Sequence, residues 1–458
     1  MNYQQTIDYL YGSLPVYHRV GGAAYKANLD NTHALDRYFG HPHRRFRSVH
    51  IAGTNGKGSV SHMIASILAE SGYVTGLYTS PHLRDFRERI KVNGVPIGEE
   101  FVVSFVNDNR EILERLKPSF FEMTVAMAFH YFAASNVQVA VVETGMGGRL
   151  DSTNIITPLL SVITNIGLDH TQFLGPDLES IAGEKAGIIK EEIPVVIGET
   201  ADETRGVFER VSREKGCSIS FADSNFRVET LSRNLELGTS VVNIFSRDVL
   251  AYGDLHIPFA GKYQEKNIQT VMQSVETLRL NLDIPDRSVA NGFSGTIKNT
   301  SLEGRWQVVG RKPLVVCDTA HNHEGLSAVL NQVSETGYSV KRFIIGFVND
   351  KDVRKLMSLF PADAIYYFTR STVERSLEAG KLVEIASQAG LHGKGYNSVI
   401  EAFNEANADS SPADLIYVGE APLLSPICLI QLEAQMSADP TVRQDFFDFS
   451  LTSTPLNC

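Results

Sequence analysis

A glycine-rich turn with one lysine is the feature of this sequence that points most directly to chemistry. The segment Gly53-Thr54-Asn55-Gly56-Lys57-Gly58-Ser59 follows a β-favouring stretch and precedes the helical pattern of residues 60–69. Glycines let successive backbone N–H groups point into one concave turn, and the positive end of the following helix favours an anion there. Because the lysine adds a mobile positive charge, the segment predicts a binding site for the phosphate chain of a nucleotide.

The turn departs from the general P-loop pattern GxxxxGK(S/T) in two ways. Gly53 lies only three residues before Gly56, and Gly58 separates Lys57 from Ser59. In ordinary P-loops the hydroxyl directly after the lysine holds Mg²⁺. A metal at this site therefore needs another ligand, either Ser59 or a side chain from the end of a different strand.

Polar side chains follow several of the other predicted strands. Ser80 follows residues 74–79, Glu143 ends the apolar run 137–142, and His170 comes after residues 160–165. The carboxyl ends of parallel strands meet at one sheet edge, where ligands of open α/β sheets bind. These residues are therefore candidate metal ligands. The alternatives are a turn-forming serine, a carboxylate bonded to loop amides and a structural histidine.

The alternation of strand and helix patterns predicts an α/β fold with two domains. We expect residues 1–300 to form an ATP-binding domain with a P-loop-type, mostly parallel sheet, and residues 218–260 to add a small antiparallel β insertion. A smaller Rossmann-like α/β domain is expected over residues 301–458. It lacks a glycine-rich dinucleotide fingerprint, which argues against nicotinamide or flavin binding.

Composition limits the classes of partner. The 458 residues carry a net charge of −11, which argues against a general nucleic-acid or anionic-membrane surface. The basic segment 41–47 is interpreted as a solvated loop before the first strand. The four cysteines lie far apart, and no apolar run is long enough to span a membrane. We expect a cytoplasmic monomer that binds small molecules, with no nucleic-acid or membrane partner.

Several motifs together resemble the folylpolyglutamate synthase and dihydrofolate synthase family of Mur-type ATP-dependent amide ligases. The resemblance covers most of residues 45–325, in order. It is carried by the glycine-lysine turn, Thr79-Ser80-Pro81-His82-Leu83, Phe121-Glu122, residues 143–154, Asp169-His170, Glu184-Lys185-Ala186-Gly187-Ile188-Ile189 and Asp318-Thr319-Ala320-His321-Asn322.

The resemblance implies a role for each matching residue. Ser80, Glu143 and His170 match Mg²⁺ ligands, and Lys185 matches a carbamylated lysine that could recruit a second Mg²⁺. One family stretch, expected at residues 25–31, is not matched cleanly. The remaining matches are nucleotide contacts at Asn267, Arg305 and Asp318, and pterin contacts at Phe121, Glu122, Leu150, Asp151 and Ser152.

The expected reaction is amide formation through an acyl phosphate. A substrate carboxylate attacks the γ-phosphate of ATP, and the amine of L-glutamate then displaces phosphate from the acyl phosphate. The acceptor is dihydropteroate, a reduced folate, or both. His321 is a candidate for orienting glutamate or accepting its proton, although capping of the following helix would also explain it. We expect closure of the two domains, about a linker near Asn299, to assemble the site.

Two other functions are consistent with the nucleotide motif. A sibling ligase that adds an amino acid to a cell-wall nucleotide precursor would use the same ATP and metal residues with another acceptor. A P-loop GTPase or regulatory nucleotide-binding module would need a guanine-reading NKxD-type motif, which the sequence lacks.

Overall fold

The computed structural model describes residues 1–14, 28–349, 352–370 and 375–419, and internal contacts divide them into two compact units. The first unit comprises Met1–Asn234 and Thr239–Glu303, and the second comprises Leu235–Gly238 and the described residues from Gly304 onward. The predicted α/β class with two sheet-containing parts is confirmed. No helix in the described part of the chain is long and apolar enough to cross a membrane.

The first unit alternates strands and helices along most of its length. Its strands are β1 (Arg47–Ala52), β2 (Thr75–Tyr78), β3 (Ile90–Val92), β4 (Val95–Pro96), β5 (Val139–Glu143), β6 (Leu160–Ile163), β7 (Val195–Ile197), β8 (Ile219–Phe221), β9 (Phe226–Asn234), β10 (Thr239–Ser246) and β11 (Val249–Ile257). Its helices are α1 (Tyr3–Ser13), α2 (Asp30–Tyr38), α3 (Lys57–Glu70), α4 (Glu99–Asp108), α5 (Arg110–Leu116), α6 (Phe120–Ala134), α7 (Thr171–Leu174), α8 (Leu178–Ala186), α9 (Asp202–Glu214), α10 (Ala222–Asn225), α11 (Gln264–Leu278), α12 (Asp286–Ser294) and α13 (Thr296–Thr300).

An eight-stranded sheet forms the centre of this unit, in the order β4-β3-β2-β5-β1-β6-β7-β8. The six strands β2, β5, β1, β6, β7 and β8 run parallel to one another. Strands β3 and β4 add an antiparallel edge. The parallel strands are nearly all buried on both faces, which explains their continuous apolar runs. The carboxyl ends of β2, β5, β1 and β6 therefore lie side by side at one edge.

The structure differs from the sequence-based prediction at three connections. The antiparallel sheet, β11-β10-β9, begins at Phe226 rather than at residue 218, because Ile219–Phe221 pairs with β7 in the large sheet. The helical pattern of residues 99–116 predicts one helix, but the structure has two helices that are separated at Asn109. The β3–β4 hairpin was not predicted, although Asn93-Gly94, both with positive φ, is a typical hairpin turn.

The second unit is a smaller α/β fold with a six-stranded sheet. The sheet order is β12-β13-β17-β14-β15-β16, and only β12 runs antiparallel to its neighbour. Its strands are β12 (Gln307–Arg311), β13 (Leu314–Asp318), β14 (Lys341–Ile345), β15 (Ile365–Thr369), β16 (Gly393–Tyr396) and β17 (Leu415–Gly419), and its helices are α14 (His323–Ser334), α15 (Val353–Met357), α16 (Ala379–Gln388) and α17 (Val399–Ala408).

Helix α3 positions the glycine-rich turn because it is buried on nearly every side. Ten consecutive residues, from Ser59 to Leu68, are buried between the sheet and helices α11, α12 and α13. Its apolar side chains belong to the same core as β1, β5 and β6. Four of the ten buried residues are polar, namely Ser59, Ser61, His62 and Ser66, so the helix is central by its packing and not by a wholly apolar sequence. The turn at its N-terminus is therefore held by a rigid strand on one side and a rigid helix on the other.

Candidate functional site

The glycine-rich turn leads from the end of β1 into α3, as the sequence predicted. Gly53 has φ +149° and Gly56 has φ +83°, both in the region that favours glycine. A Cβ atom at Gly53 would overlap Thr164 Oγ1, and one at Gly56 would overlap Asn267 Oδ1. Gly56 caps α3 without a side-chain hydrogen bond to the helix. The first N–H groups of the helix are therefore not closed by a capping side chain, which suits an anion.

The turn is fixed to the chain that follows β6. The Thr54 amide donates to Asn165 O at 3.0 Å, and the Asn55 amide donates to Asn165 Oδ1 at 2.8 Å. Thr164 Oγ1 donates to Asn55 O at 2.5 Å. Asn165 Nδ2 in turn donates to Glu199 Oε1, just after β7, at 3.1 Å. Hydrogen bonds to residues after β6 and β7 thus fix the conformation of the turn that follows β1.

Asn165 and Glu199 were missed by the sequence analysis as supports of this turn. Each lies two residues past the end of a parallel strand, as Ser80 does, and Glu143 is the last residue of β5. The same rule, a polar residue at the carboxyl end of a buried strand, would have found them. Their partners, however, depend on the strand order of the folded sheet.

Two lysines donate to the same backbone carbonyl in the turn. Lys57 Nζ lies 3.0 Å from Gly53 O, and Lys185 Nζ, from α8, lies 2.8 Å from it. Lys185 is buried, and burial lowers its pKa to about 7, with a further lowering by the charge of Lys57 and opposing effects of Asp169 and Asp151. Much of the Lys185 population is therefore a neutral amine near neutral pH.

Ser80 and Glu143 are brought together at the ends of β2 and β5. These strands are paired through Tyr78 and Val142, and the Ser80 amide donates to Glu143 Oε2 at 3.2 Å. Glu143 is buried. His170 lies at the same edge, after β6, where it starts α7 with φ +50°, and its Nε2 is 4.0 Å from Asp169 Oδ2. The edge thus offers hydroxyl, carboxylate and imidazole groups.

Asp151 holds the loop that follows β5. Its carboxylate accepts the amides of Gly145 at 2.8 Å, Met146 at 3.0 Å and Thr153 at 3.0 Å, and the Thr153 hydroxyl at 2.5 Å. Burial raises the pKa of Asp151, against the lowering effect of these bonds. The buried His50 Nε2 lies 2.9 Å from Thr153 Oγ1 and is the donor, because the threonine proton goes to Asp151. This carboxylate therefore has a structural role, and a substrate contact there stays a prediction.

The remaining predicted acceptor contacts lie around this loop and at the start of α6. Ser119 and Glu122 form a capping box, with the Ser119 amide donating to Glu122 Oε2 at 2.6 Å, and Asn31 Nδ2 donates to the same oxygen at 3.3 Å. A Cβ atom on Gly145 would contact the Phe121 ring at 2.5 Å. Phe121 thus packs directly against the loop after β5. Leu150 is half-buried and Ser152 is buried in the same loop.

Asn267 is placed against the glycine-rich turn from the first turns of α11. Its Nδ2 donates to Gln264 Oε1 at 2.7 Å, and Gln264 Nε2 donates to the buried Ser59 Oγ at 3.2 Å. The chain of amides joins α11 to α3, and it places Asn267 Oδ1 beside Gly56. Asn267 therefore lies against the turn, although more than two hundred residues separate the two in sequence.

Arg305, Asp318 and His321 belong to the second unit and lie around the end of β13. The buried Asp318 accepts the Trp306 amide at 2.8 Å and the Ala320 amide at 2.9 Å. Arg305 Nη1 donates to Gly304 O at 3.0 Å and contacts Thr319 Oγ1. His321 Nδ1 lies 3.0 Å from Thr319 O. Asn322, and not His321, caps α14, so capping of this helix does not explain His321.

Comparison with known families identifies the class of protein. Residues 51–275 match the Mur ligase middle domain, and residues 304–419 match the Mur ligase glutamate ligase domain. The chain is 34% identical, over 374 residues, to the dihydrofolate synthase/folylpolyglutamate synthase of Bacillus subtilis, covering 77% of this chain and 84% of the relative.

Solved structures give the same assignment. Escherichia coli FolC in complex with DHPP and ADP is 25% identical with a TM-score of 0.80, covering 96% of this chain and 98% of that one. Mycobacterium tuberculosis folylpolyglutamate synthase complexed with ADP is 28% identical with a TM-score of 0.81, covering 96% and 99%. The fold and the two matching family domains are those of a Mur ligase, a class of ATP-dependent, ADP-forming amide ligases. Within that class, the chain belongs to the folylpolyglutamate synthase/dihydrofolate synthase family.

Proposed function

We propose that this protein joins L-glutamate to the carboxylate of a pterin or folate, with ATP as the source of energy. Both dihydropteroate and a reduced folate are proposed as acceptors. The observation that carries the proposal is the glycine-lysine turn, uncapped at α3 and set beside the Ser80–Glu143 contact. It occurs in a chain that matches a synthase of both kinds over most of its length.

The nucleotide is proposed to bind with its phosphates in the turn of residues 53–59. Backbone N–H groups at the start of α3 bind phosphate oxygens, and Lys57 leaves its carbonyl partners to neutralise charge on the γ-phosphate. The position of Asn267 beside Gly56 supports its assignment to the nucleotide. Arg305 and Asp318, in the second unit, are assigned to the nucleotide on the resemblance alone.

Mg²⁺ is proposed to be held by Ser80, Glu143 and His170. The donor set fits a hard cation, because Ser80 offers a hydroxyl and Glu143 a buried carboxylate, and the Ser80 amide donates to Glu143 Oε2 at 3.2 Å at the sheet edge. Asp169, next to His170, offers a further carboxylate in the same loop. When bound, the ion would supply positive charge that stabilises the phosphate oxygens as negative charge shifts during transfer.

Lys185 is proposed to be carbamylated. The modification needs a neutral amine that attacks the carbon of CO₂, forming a C–N bond and releasing one proton. Burial beside Lys57 favours the neutral amine, and the resulting anion would relieve the repulsion between two ammonium groups that share Gly53 O. A carbamate oxygen would also be a suitable ligand for a second Mg²⁺.

The acceptor is proposed to lie against Phe121, Glu122 and residues 150–152. Phe121 offers an aromatic face next to the Gly145 loop, and Asp151 keeps that loop in place. The acceptor carboxylate attacks the γ-phosphorus, ADP departs, and an acyl phosphate forms. The glutamate amine then attacks the acyl carbon, His321 is proposed to orient that amine or take its proton, and phosphate leaves.

The test is an assay with labelled glutamate, ATP and Mg²⁺, in which dihydropteroate and tetrahydrofolate are supplied separately. The proposal expects ADP release and a labelled amide product with each acceptor. Product with a cell-wall nucleotide precursor instead would favour the sibling ligase. Nucleotide hydrolysis without any amide product would favour a regulatory module. A cytoplasmic location and a monomeric state remain part of the proposal, and gel filtration at working concentration tests the second.

A further inference from the structure

A buried carboxylate near the end of α2 is flanked by two imidazoles from residues 41–47, the segment that the sequence analysis interpreted as a solvated loop. Asp36 Oδ2 is 2.6 Å from His41 Nδ1, and Asp36 Oδ1 is 2.6 Å from His43 Nδ1. The side chains of Asp36, His43 and His41 are 6%, 12% and 38% exposed. Two of the three groups are thus largely withdrawn from solvent, and the third faces it.

The backbone conformation of residues 41–45 brings these three side chains together. His41 has φ +56°, and its amide donates to Asp36 O at 2.8 Å, which folds the chain back onto the end of α2. Pro42 then starts a short 3-10 helix, Pro42–Arg45, in which the Arg44 amide donates to His41 O at 3.1 Å. Because the turn is closed by backbone bonds, little further ordering is needed to bring the side chains together.

We propose that Asp36, His41 and His43 form a binding site for a divalent transition metal, Zn²⁺ in particular, with a water completing the coordination. One candidate ligand atom from each residue lies within 4.8 Å of the other two. Zinc takes nitrogen and oxygen ligands at about 2.0–2.2 Å in tetrahedral geometry, so two of its ligands lie roughly 3.3–3.6 Å apart. Movements of up to roughly 1.5 Å would therefore complete the site, and the partly exposed His41 ring is the side chain least constrained by burial.

The donor set separates this site from the one proposed for Mg²⁺. Two imidazole nitrogens and one carboxylate favour Zn²⁺ over Mg²⁺, which prefers oxygen ligands. The cluster precedes β1, whereas the glycine-rich turn follows it, so the six residues of β1 separate the two features along the sheet. The metal would tie the end of α2 to the loop that leads into β1. We therefore expect it to affect stability, and the proposal does not depend on the proposed ligase activity.

The test uses the untagged full-length chain, dialysed against EDTA and then titrated with ZnCl₂ in the presence of millimolar MgCl₂. Isothermal titration should give one equivalent of Zn²⁺ with a dissociation constant below about 1 μM, and the melting temperature should rise. His43→Gln and His41→Gln should each weaken binding by at least about tenfold. His33 is exposed and lies on α2, as Asp36 does. His33→Gln is therefore the matched control and should bind Zn²⁺ as the wild type does.

Two results would overturn the proposal. One is a wild-type chain that takes up no stoichiometric Zn²⁺. The other is unchanged zinc affinity in His41→Gln and His43→Gln, with loss of binding in Glu143→Gln, which would place the metal at the ends of β2 and β5. Circular dichroism confirms that each variant is folded. Because His41 is partly exposed, its replacement keeps the test valid even if a change at the buried Asp36 prevents folding.

Discussion

The loops after β1 and after β13 make the same connection in different ways. Each leads from the end of a buried parallel strand into a helix. Helix α3 starts after Gly56, which provides no capping side chain. Helix α14 starts after Asn322, whose Oδ1 accepts the Gly325 amide at 2.9 Å. One helix N-terminus is left for a ligand, and the other is closed by its own chain.

The two loops differ in which of their groups are available to bind a ligand. A helix end without a capping side chain offers backbone N–H groups and the positive end of the helix dipole, so it suits phosphate. In the capped loop the buried carboxylate of Asp318 also accepts backbone amides, from Trp306 and Ala320. In that loop the proposed chemistry therefore depends on side chains such as Arg305 and His321. The following experiments test this contrast.

Replacing Lys57 by alanine should have the largest effect. It removes the mobile charge at the uncapped turn, and we expect amide-forming activity to fall about a thousandfold or more, since a positioned charge acts strongly on a developing anion. ADP release that depends on acceptor and glutamate is the measurement. Lys298→Ala, an exposed lysine, is the control. Retained turnover in a folded Lys57→Ala protein would contradict the phosphate assignment.

Gly56→Ala should have the next largest effect. The new Cβ would meet Asn267 Oδ1, and φ +83° strains any other residue, so both turn shape and stability should suffer. We expect the KM for ATP to rise at least about tenfold and the free energy of unfolding to fall by about 1 kcal/mol. Steady-state kinetics and urea unfolding measure these. An unchanged KM would mean that the turn does not shape the nucleotide site.

Lys185 gives a pH-dependent prediction for the same turn. Its native pKa of about 7 lies below its ordinary value of 10.5, so the unfolded chain binds more protons between these limits. Lys185 should therefore make stability increase with pH from about 7 to about 10.5, by at most about 1.4 kcal/mol per unit. Urea unfolding in CO₂-free buffer at pH 7 and 9 should show a steeper increase for wild type than for Lys185→Gln. Equal slopes would show that the ammonium is not destabilised by burial.

A CO₂-dependent experiment separates the carbamate from the bare amine. Lys185→Gln should lower activity, with partial recovery when a short carboxylate is added, because the carboxylate can replace the carbamate oxygens. A labelled-CO₂ NMR signal should appear in wild type and be absent from the variant. Full activity with an unmodified lysine would contradict carbamylation.

Asn322→Ala should have the smallest effect. It removes the cap of α14, which typically costs about 1 kcal/mol of stability. Because no phosphate is assigned to this helix end, the KM for ATP should change less than in Gly56→Ala. A larger change in Asn322→Ala than in Gly56→Ala would reverse the proposed contrast between the two loops.

Much of this architecture can be predicted from local pattern. The strand-helix alternation, the glycine turn and the polar ends of β2, β5 and β6 depend on nearby residues, and the observed elements start and end close to the predicted positions. The hairpin around Asn93-Gly94 also has a local signal, because Asn-Gly with positive φ at both residues is a typical two-residue hairpin turn. The Asp36–His41–His43 cluster was not predicted, because the two histidines lie in a segment interpreted as a basic loop and Asp36 lies in the helix before it.

The type of chemistry can be predicted from residue types and spacing alone, because glycines, a lysine and polar strand ends are local features of the chain. Which of these groups come into contact depends on the folded structure. Lys185 reaches Gly53 across 132 positions, and β1 lies between β5 and β6 although it precedes both. Strand order and burial arise from packing between distant segments. That packing decides the neighbours of each polar group and also sets the pKa of Lys185.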